Sequence, residues 1–154
     1  MSDLRTELKQ RKPFRSLRHE AHLSVLRTAA ELEHAMESAV KSYGITATQY
    51  NVLRILRGAG PGGLCRNEIG TRMLRRVPDV TRLLDRMEQL GLIVRERGGD
   101  DRRFVTAKIT GRGLETLATL DPVVDRITDA QMGHLGDARL RALIELLGCV
   151  RDKS

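Results

Sequence analysis

Apolar positions along the chain recur first at helical spacing, and that spacing lays out most of its elements. Leu26, Ala29, Met36, Val40 and Tyr43 repeat at three- and four-residue steps within a polar background. They predict a long amphipathic helix from about Phe14 to Ser42, ended by Gly44. Thr46-x-x-Gln49 is a capping box, in which each side chain satisfies the other's free backbone N–H, and it opens a helix with Val52, Leu53 and Leu56 inward. Glycines 58, 60, 62 and 63 with Pro61 end that helix in a loop. Leu64 leads into a short helix from about Arg66 to Leu74, with Ile69 and Met73 on one side. Pro78 suits the first turn of the next helix, where its missing N–H and fixed φ do no harm. Val80, Leu83, Leu84, Met87 and Leu90 are the clearest stripe in the chain, and Gly91 supplies a left-handed stop.

The period then drops to two. Leu92–Arg97 and Arg103–Ile109 read as strands, with Val105, Ala107 and Ile109 alternating against Phe104, Thr106 and Lys108. The charged run 98–102 forms the hairpin tip between them. Thr110 caps a further helix with Leu114, Leu117, Leu120 and Val124 inward, which Pro122 is expected to kink or break. A last helix carries Leu140, Leu143, Ile144, Leu147 and Val150. Such a stripe on a terminal helix of about four turns needs a partner surface, so self-association is expected. The fold class is mainly α with a small β-hairpin wing: a winged helix-turn-helix lobe plus a helical dimerisation region. The expected division is 1–44, tail and dimerisation helix; 45–110, winged lobe; 111–154, C-terminal dimerisation helices.

Composition narrows the setting. With 154 residues, 40% hydrophobic and 31% charged, the chain can bury a core without disulfides or metals and is not expected to be disordered. No uncharged apolar run approaches the ~18–20 residues of a transmembrane helix. Residues 1–12 alternate polar and charged, unlike a secretory signal. Cys65 and Cys149 do not make a disulfide framework, and a cytoplasmic location is expected, with no membrane partner.

Charge is unevenly placed. The net is +4 over residues 1–18, zero over 19–65, +5 over 66–112 and −2 over 113–154, for a total of +7. Of the 27 basic residues 22 are Arg, the side chain suited to bidentate phosphate and guanine contacts. A localised polyanion-binding face fits this map better than a generally basic surface, which the acidic end contradicts. With two Phe, two Tyr and no Trp, stacking platforms for single strands or RNA are hard to build, which favours duplex DNA.

The short helix, turn and Pro78 helix make a helix-turn-helix with the hairpin as wing. Arg75, Arg76, Pro78, Asp79, Thr81 and Arg82 would then lie on the reading helix or its approach, where N-terminal residues reach base edges. Asp79 is suited to accept from a cytosine amine or to orient an Arg. Arg66 and Asn67 open the preceding helix, whose terminal amides attract phosphate. Arg102 and Arg103 would enter a minor groove from the wing, steadied by Asp101. An ordinary solvated helix face and a solubilising turn are the bland alternatives, and each is weakened by the other motif and by the charge map.

Taken together, Thr46-x-x-Gln49-Tyr50-x-Val52-Leu53, the run from Val80 to Glu88, Gly91-Leu92-Ile93-x-Arg95, Asp101-Arg102-Arg103 and Ile109-Thr110-x-x-Gly113 resemble the MarR-type winged-helix transcriptional regulators over about residues 20–150. The resemblance implies a homodimer, built by interlocked first and last helices, that reads an inverted repeat in double-stranded DNA. It also implies a cleft where a small aromatic effector weakens DNA binding, most simply in a repressor. Many members carry a small hydroxyl residue at the place of Pro78, Thr or Ser at that of Asp79, and Ala at that of Gly70.

Other chemistry is sparse. His22, on the first helix near its dimer-facing stretch, is a candidate for the effector cleft. His19 and His22 have metal-compatible spacing but lack further ligands, so no metal and no cofactor is expected. Some family members sense oxidants through a cysteine in the first helix, where this chain has none. A redox switch at Cys65 or Cys149 is therefore an alternative, as is an interaction module that keeps the fold without specific DNA recognition. No phosphate loop, HExxH or nucleophile elbow is present, and no catalytic residue is expected.

Overall fold

The computed structural model describes residues 3–97 and 105–152. The helical part of the chain opens with α1 (Leu4–Glu7) and α2 (Leu17–Lys41). The lobe follows as α3 (Ala47–Ala59), β1 (Leu64–Cys65), α4 (Arg66–Arg72), α5 (Val80–Gln89), β2 (Ile93–Arg97) and β3 (Val105–Ile109). The chain then returns to helix as α6 (Gly111–Met132), a 3-10 turn at Gly133–Leu135, and α7 (Gly136–Arg151). This is a mainly helical fold with a small antiparallel wing sheet.

The capping box forms as read. Gln49 donates its N–H to Thr46 Oγ1 at 3.1 Å, and Thr46 donates its own to Gln49 Oε1 at 3.0 Å. α3 then presents Val52, Leu53 and Leu56 to a core shared with Ile69 and Met73, with Leu84 and Met87 of α5, and with Leu92, Ile93 and Ala107 of the sheet. Val40 of α2 and Leu117, Leu120 and Val124 of α6 complete it. Each of the larger side chains contributes about 1.5–3 kcal/mol by leaving water, so the lobe is held together with α2 and α6 around one core.

The sheet has strand order β1-β3-β2, with Ile93 opposite Ile109, Arg95 opposite Ala107, and Leu64 also opposite Ala107. The sequence suggests a two-stranded hairpin; β1 is a third strand. Two residues are too few to show alternation, so β1 is fixed only by its pairing.

Other expectations are corrected as well. α2 starts at Leu17, where Ser16 Oγ accepts the His19 N–H at 3.2 Å, and the separate turn α1 precedes it. α4 stops at Arg72 because Met73 is already extended, and the Leu74 N–H goes instead to Asn51 Oδ1 at 3.0 Å. Pro78 lies outside α5: Asp79 is its N-cap, with Oδ1 accepting the Arg82 N–H at 2.9 Å. Pro122 does not break α6, which runs unbroken through it. Leu117, Leu120 and Val124, buried on both sides of the proline, hold the helix against a penalty of about 3 kcal/mol. Leu114, expected inward, is exposed, as are Leu26 and Tyr43.

The joint between wing and α6 depends on one close approach. Thr110 caps α6 through the Gly113 N–H (3.1 Å) while its hydroxyl donates to the Gly91 carbonyl (2.7 Å). A side chain at Gly113 would strike the Leu92 carbonyl oxygen, so this position accepts only glycine.

Candidate nucleic-acid interface

α5 is anchored by its buried side, Leu84 and Met87, and this turns Arg82, Arg86 and Gln89 outward. Its first turn is fixed from α4: the Arg66 guanidinium donates to Thr81 Oγ1 at 3.1 Å. Between the two helices lies a cleft of about 680 Å³, lined among others by Arg66, Asn67, Arg76, Pro78, Asp79 and Thr81. Six of the positions singled out in the sequence thus share one concave, cationic surface. A second, smaller depression is lined by Arg82, Asp85, Arg86 and Gln89. Among the described residues, Arg76, Arg82 and Arg86 have no ion-pair partner. Cations left unneutralised on one face are available to phosphate oxygens.

Arg75 is placed differently. Its guanidinium lies 3.6 Å from Glu33 on α2, with both side chains exposed, a pairing that stabilises little. Asp79 spends one carboxylate oxygen on the α5 cap. Asp101, Arg102 and Arg103 lie outside the described residues. His22 is exposed on α2, Cys65 is half-buried at the end of β1, and Cys149 is exposed on α7. Among the described residues no three His, Cys, Asp or Glu side chains cluster as metal ligands. No helix among them is long and apolar enough to cross a membrane.

Two polar clusters were missed in the sequence. Arg95 of β2 reaches back to α5, with Nη2 at 2.6 Å from Asp85 Oδ1 and 2.7 Å from Glu88 Oε2; its Nε and backbone N–H also donate to Glu88, at 3.0 Å each. The Arg95 guanidinium holds the Glu88 carboxyl below its usual range, and this half-buried network fastens β2 to α5. Asp85-x-x-Glu88 one turn apart was the available signal, but nothing local tied it to Arg95.

The second cluster joins the lobe to α6. Arg57 grips Asp121 with both guanidinium nitrogens, Nη1 to Oδ2 at 2.6 Å and Nη2 to Oδ1 at 3.3 Å, and the Tyr50 hydroxyl reaches the same Oδ1 at 3.4 Å. The Arg57 hydrogen bond pulls the Asp121 carboxyl below its ordinary value. Burial pushes the Tyr50 phenol up, opposed by Arg54 and reinforced by the Asp121 carboxylate. Partners 64 and 71 positions apart leave no sequence signal.

Comparison with known proteins now gives this surface a context. Residues 43–103, which take in most of the lobe, match the MarR family. The regulator MgrA of Staphylococcus aureus is 32% identical over 71% of this chain and 72% of its own. A MarR transcription factor from Planctomyces limnophilus is 36% identical, with a TM-score of 0.68 over 89% of this chain and 99% of that one. YkoM of Bacillus subtilis, an HTH-type regulator, is 35% identical over 59% of this chain, and the match spans only 57% of YkoM. At the level of fold alone, the chain superposes on BpsR of Bordetella bronchiseptica, whose DNA binding is regulated by 6-hydroxynicotinic acid. That superposition has a TM-score of 0.78 at 22% identity and covers 93% of this chain and all of BpsR. The motif set, the winged lobe and these relatives agree: the chain belongs to the MarR family of DNA-binding transcriptional regulators.

Proposed function

We propose that the protein is a homodimer that reads an inverted repeat in double-stranded DNA and acts as a repressor released by a small aromatic ligand. Residues 45–110 serve as the reading lobe; 1–44 and 111–154 form the dimerisation region. The observation that carries the reading is the cationic face of α4 and α5, where the Arg66–Thr81 bond sets two helix starts side by side. Thr81 and Arg82 address base edges in the major groove, Arg76 and the amide end of α4 with Asn67 hold phosphates, and Pro78 and Asp79 shape the approach. Arg75 joins them once it leaves Glu33. Arg102 and Arg103, steadied by Asp101, reach the minor groove.

Dimerisation is supported by the apolar surface that α7 and α2 leave uncovered, including Ile144, Val150 and Leu17. Two-fold symmetry sets the reading helices about 34–36 Å apart, one DNA turn. The small aromatic effector is supported by the fold shared with BpsR, with His22 on α2 as its proposed contact.

Selection of bound sequences from random duplex DNA, followed by titration with Arg82→Ala and Arg103→Ala, tests the reading. A palindrome is expected, with Arg82→Ala weakening binding and relaxing sequence preference by about 1–3 kcal/mol at the position it reads. Arg103→Ala should weaken binding to all sequences more evenly, and both variants should remain dimeric. Parent-like binding of both at ~150 mM salt would overturn the assignment of the reading face.

A further inference from the structure

α6 belongs to two neighbourhoods. Its first half is packed through Gly113, Leu117, Leu120 and Val124, whereas beyond Val124 none of its residues is fully buried. The change falls just past Pro122, two residues beyond the proline. A proline has no N–H to give, so the Ala118 carbonyl loses its helical donor there, and the helix is weakest at that turn. The residue immediately before this weak turn is Asp121, the acceptor for Arg57 and Tyr50 of α3.

We propose that Asp121 is a positioning residue for operator binding: clasped by Arg57 and Tyr50 beside the proline joint of α6, it fixes the angle between lobe and helical region, and so the half-site spacing the protein reads. The proposal rests on the homodimeric reading above.

The geometry of the clasp suits that task. Tyr50 and Arg57 are two turns apart on one face of α3, so Asp121 is referred to the lobe at two points. Arg57 engages both carboxylate oxygens, a fork that fixes orientation as well as distance. Tyr50 is only 5% exposed and anchors its end in the core.

Magnitude decides whether a small change at the joint matters. From Pro122 to Met132 the helix rises about 15 Å, so a rotation of about 10° at the joint moves its far end by about 2.5 Å. Two-fold symmetry doubles the displacement to about 5 Å, more than the ~3.4 Å rise per base pair along the DNA axis. A joint left loose by that amount would let the two lobes slip by a base pair.

The experiment uses the half-site selected from random duplex, placed as inverted repeats whose centre-to-centre spacing is stepped one base pair at a time around ~10 bp. Binding to these duplexes and to a single half-site is measured for the full-length parent, Asp121→Asn and Arg57→Gln. The parent should show a sharp optimum. Both variants should reduce the penalty for a one-base-pair offset by up to about fivefold while leaving single-half-site affinity unchanged. Pro122→Ala restores the missing N–H, so adding it to Asp121→Asn should sharpen the optimum again, a rescue that general loss of stability does not produce. A sharp parental optimum shared by both variants would overturn this inference alone, and so would an equal loss of affinity at every spacing and at the single half-site. A parent with no spacing optimum would overturn the inverted-repeat reading and this inference together.

Discussion

α5 and α7 are both amphipathic, and a reader of the sequence would expect both to bury their stripes. α5 does so within its own chain: Leu84 and Met87 are almost wholly removed from water. α7, six residues longer, buries no residue fully: Leu140, Leu143 and Leu147 are half-buried, and Ile144, Leu146 and Val150 each keep about two-thirds of their surface exposed, at 67%, 65% and 65%. Leu17, Val25 and Leu26 on α2 are exposed as well. Apolar surface of that extent is costly to leave in water and marks an interaction site. The two helices show a molecule in two states of completion. The lobe's core is filled, with Val40 of α2 and Leu117, Leu120 and Val124 of α6 completing it, while α7 leaves much of its stripe exposed.

The largest expected effect separates these halves. Ile144→Asp with Val150→Asp puts two charges on the uncovered face without touching the lobe core. Sedimentation should find monomers, and affinity for the inverted repeat should fall by about 10²–10⁴ as binding of the second lobe ceases to be intramolecular. The lobe should remain folded by circular dichroism. Met87→Ala should do the reverse, lowering lobe stability by about 2–5 kcal/mol in a denaturant titration. If the double aspartate variant stays dimeric, the contrast between the helices has another cause.

A smaller effect sits where the regions meet. The Asp121 and Glu88 carboxyls are both held below their ordinary values, chiefly by hydrogen bonds from Arg57 and Arg95. A group depressed on folding stabilises fully above its unfolded value, about 3.9 for Asp and 4.3 for Glu, and that stability is lost as pH falls through the folded value. Tyr50 is raised, mainly by burial, so its contribution is present below about pH 10 and lost as pH rises through its folded value. The melting temperature should therefore be level between these limits with respect to these groups and decline on both sides. Asp121→Asn with Glu88→Gln should shrink the acid limb, and Tyr50→Phe the alkaline one. Unchanged limbs would mean that these contacts do not persist in solution.

Features written in neighbouring residues were legible from the sequence. The Thr46 capping box, the α5 stripe, the Gly91 stop and the Thr110–Gly113 joint all appear where their spacing puts them, because each is settled within one or two helical turns. The cationic face was legible for the same reason: Arg66 and Thr81 fall on two short helices, and Arg76 on the turn that brings them together. Features settled by distant partners were not. β1 exists because Leu64 and Cys65 meet Ala107 and Thr106 across the sheet. Pro122 stays helical because Leu117, Leu120 and Val124 are held by other elements. Arg75 turns toward Glu33, and the clasp on Asp121 spans the whole lobe. In each case tertiary contact outweighs a local preference of at most a few kcal/mol.

The smallest expected effect is a gain. Gly70 sits inside α4, where the family resemblance leads one to expect Ala, and a glycine in a helix interior weakens it by up to ~1 kcal/mol relative to alanine. A buried glycine is often retained because a side chain would collide, as at Gly113. That reason is absent here: a β-carbon at Gly70 would lie 3.6 Å from the nearest atom, Val80 Cγ2, which is ordinary van der Waals contact. Gly70→Ala should therefore stabilise the lobe by about 0.5–1 kcal/mol in a denaturant titration, by narrowing the unfolded ensemble and by packing one methyl group against α5. The proposed dimer interface on α2 and α7 should be indifferent to it. Because Gly70 also lines the cleft between α4 and α5, the same variant probes whether that cleft needs its depth. A more stable protein with unchanged DNA affinity would mean that the contacts come from the rim, from Arg66, Arg76 and Thr81. A more stable protein that binds DNA less tightly would mean that a phosphate sits against the backbone at Gly70, and that the glycine is there for the DNA.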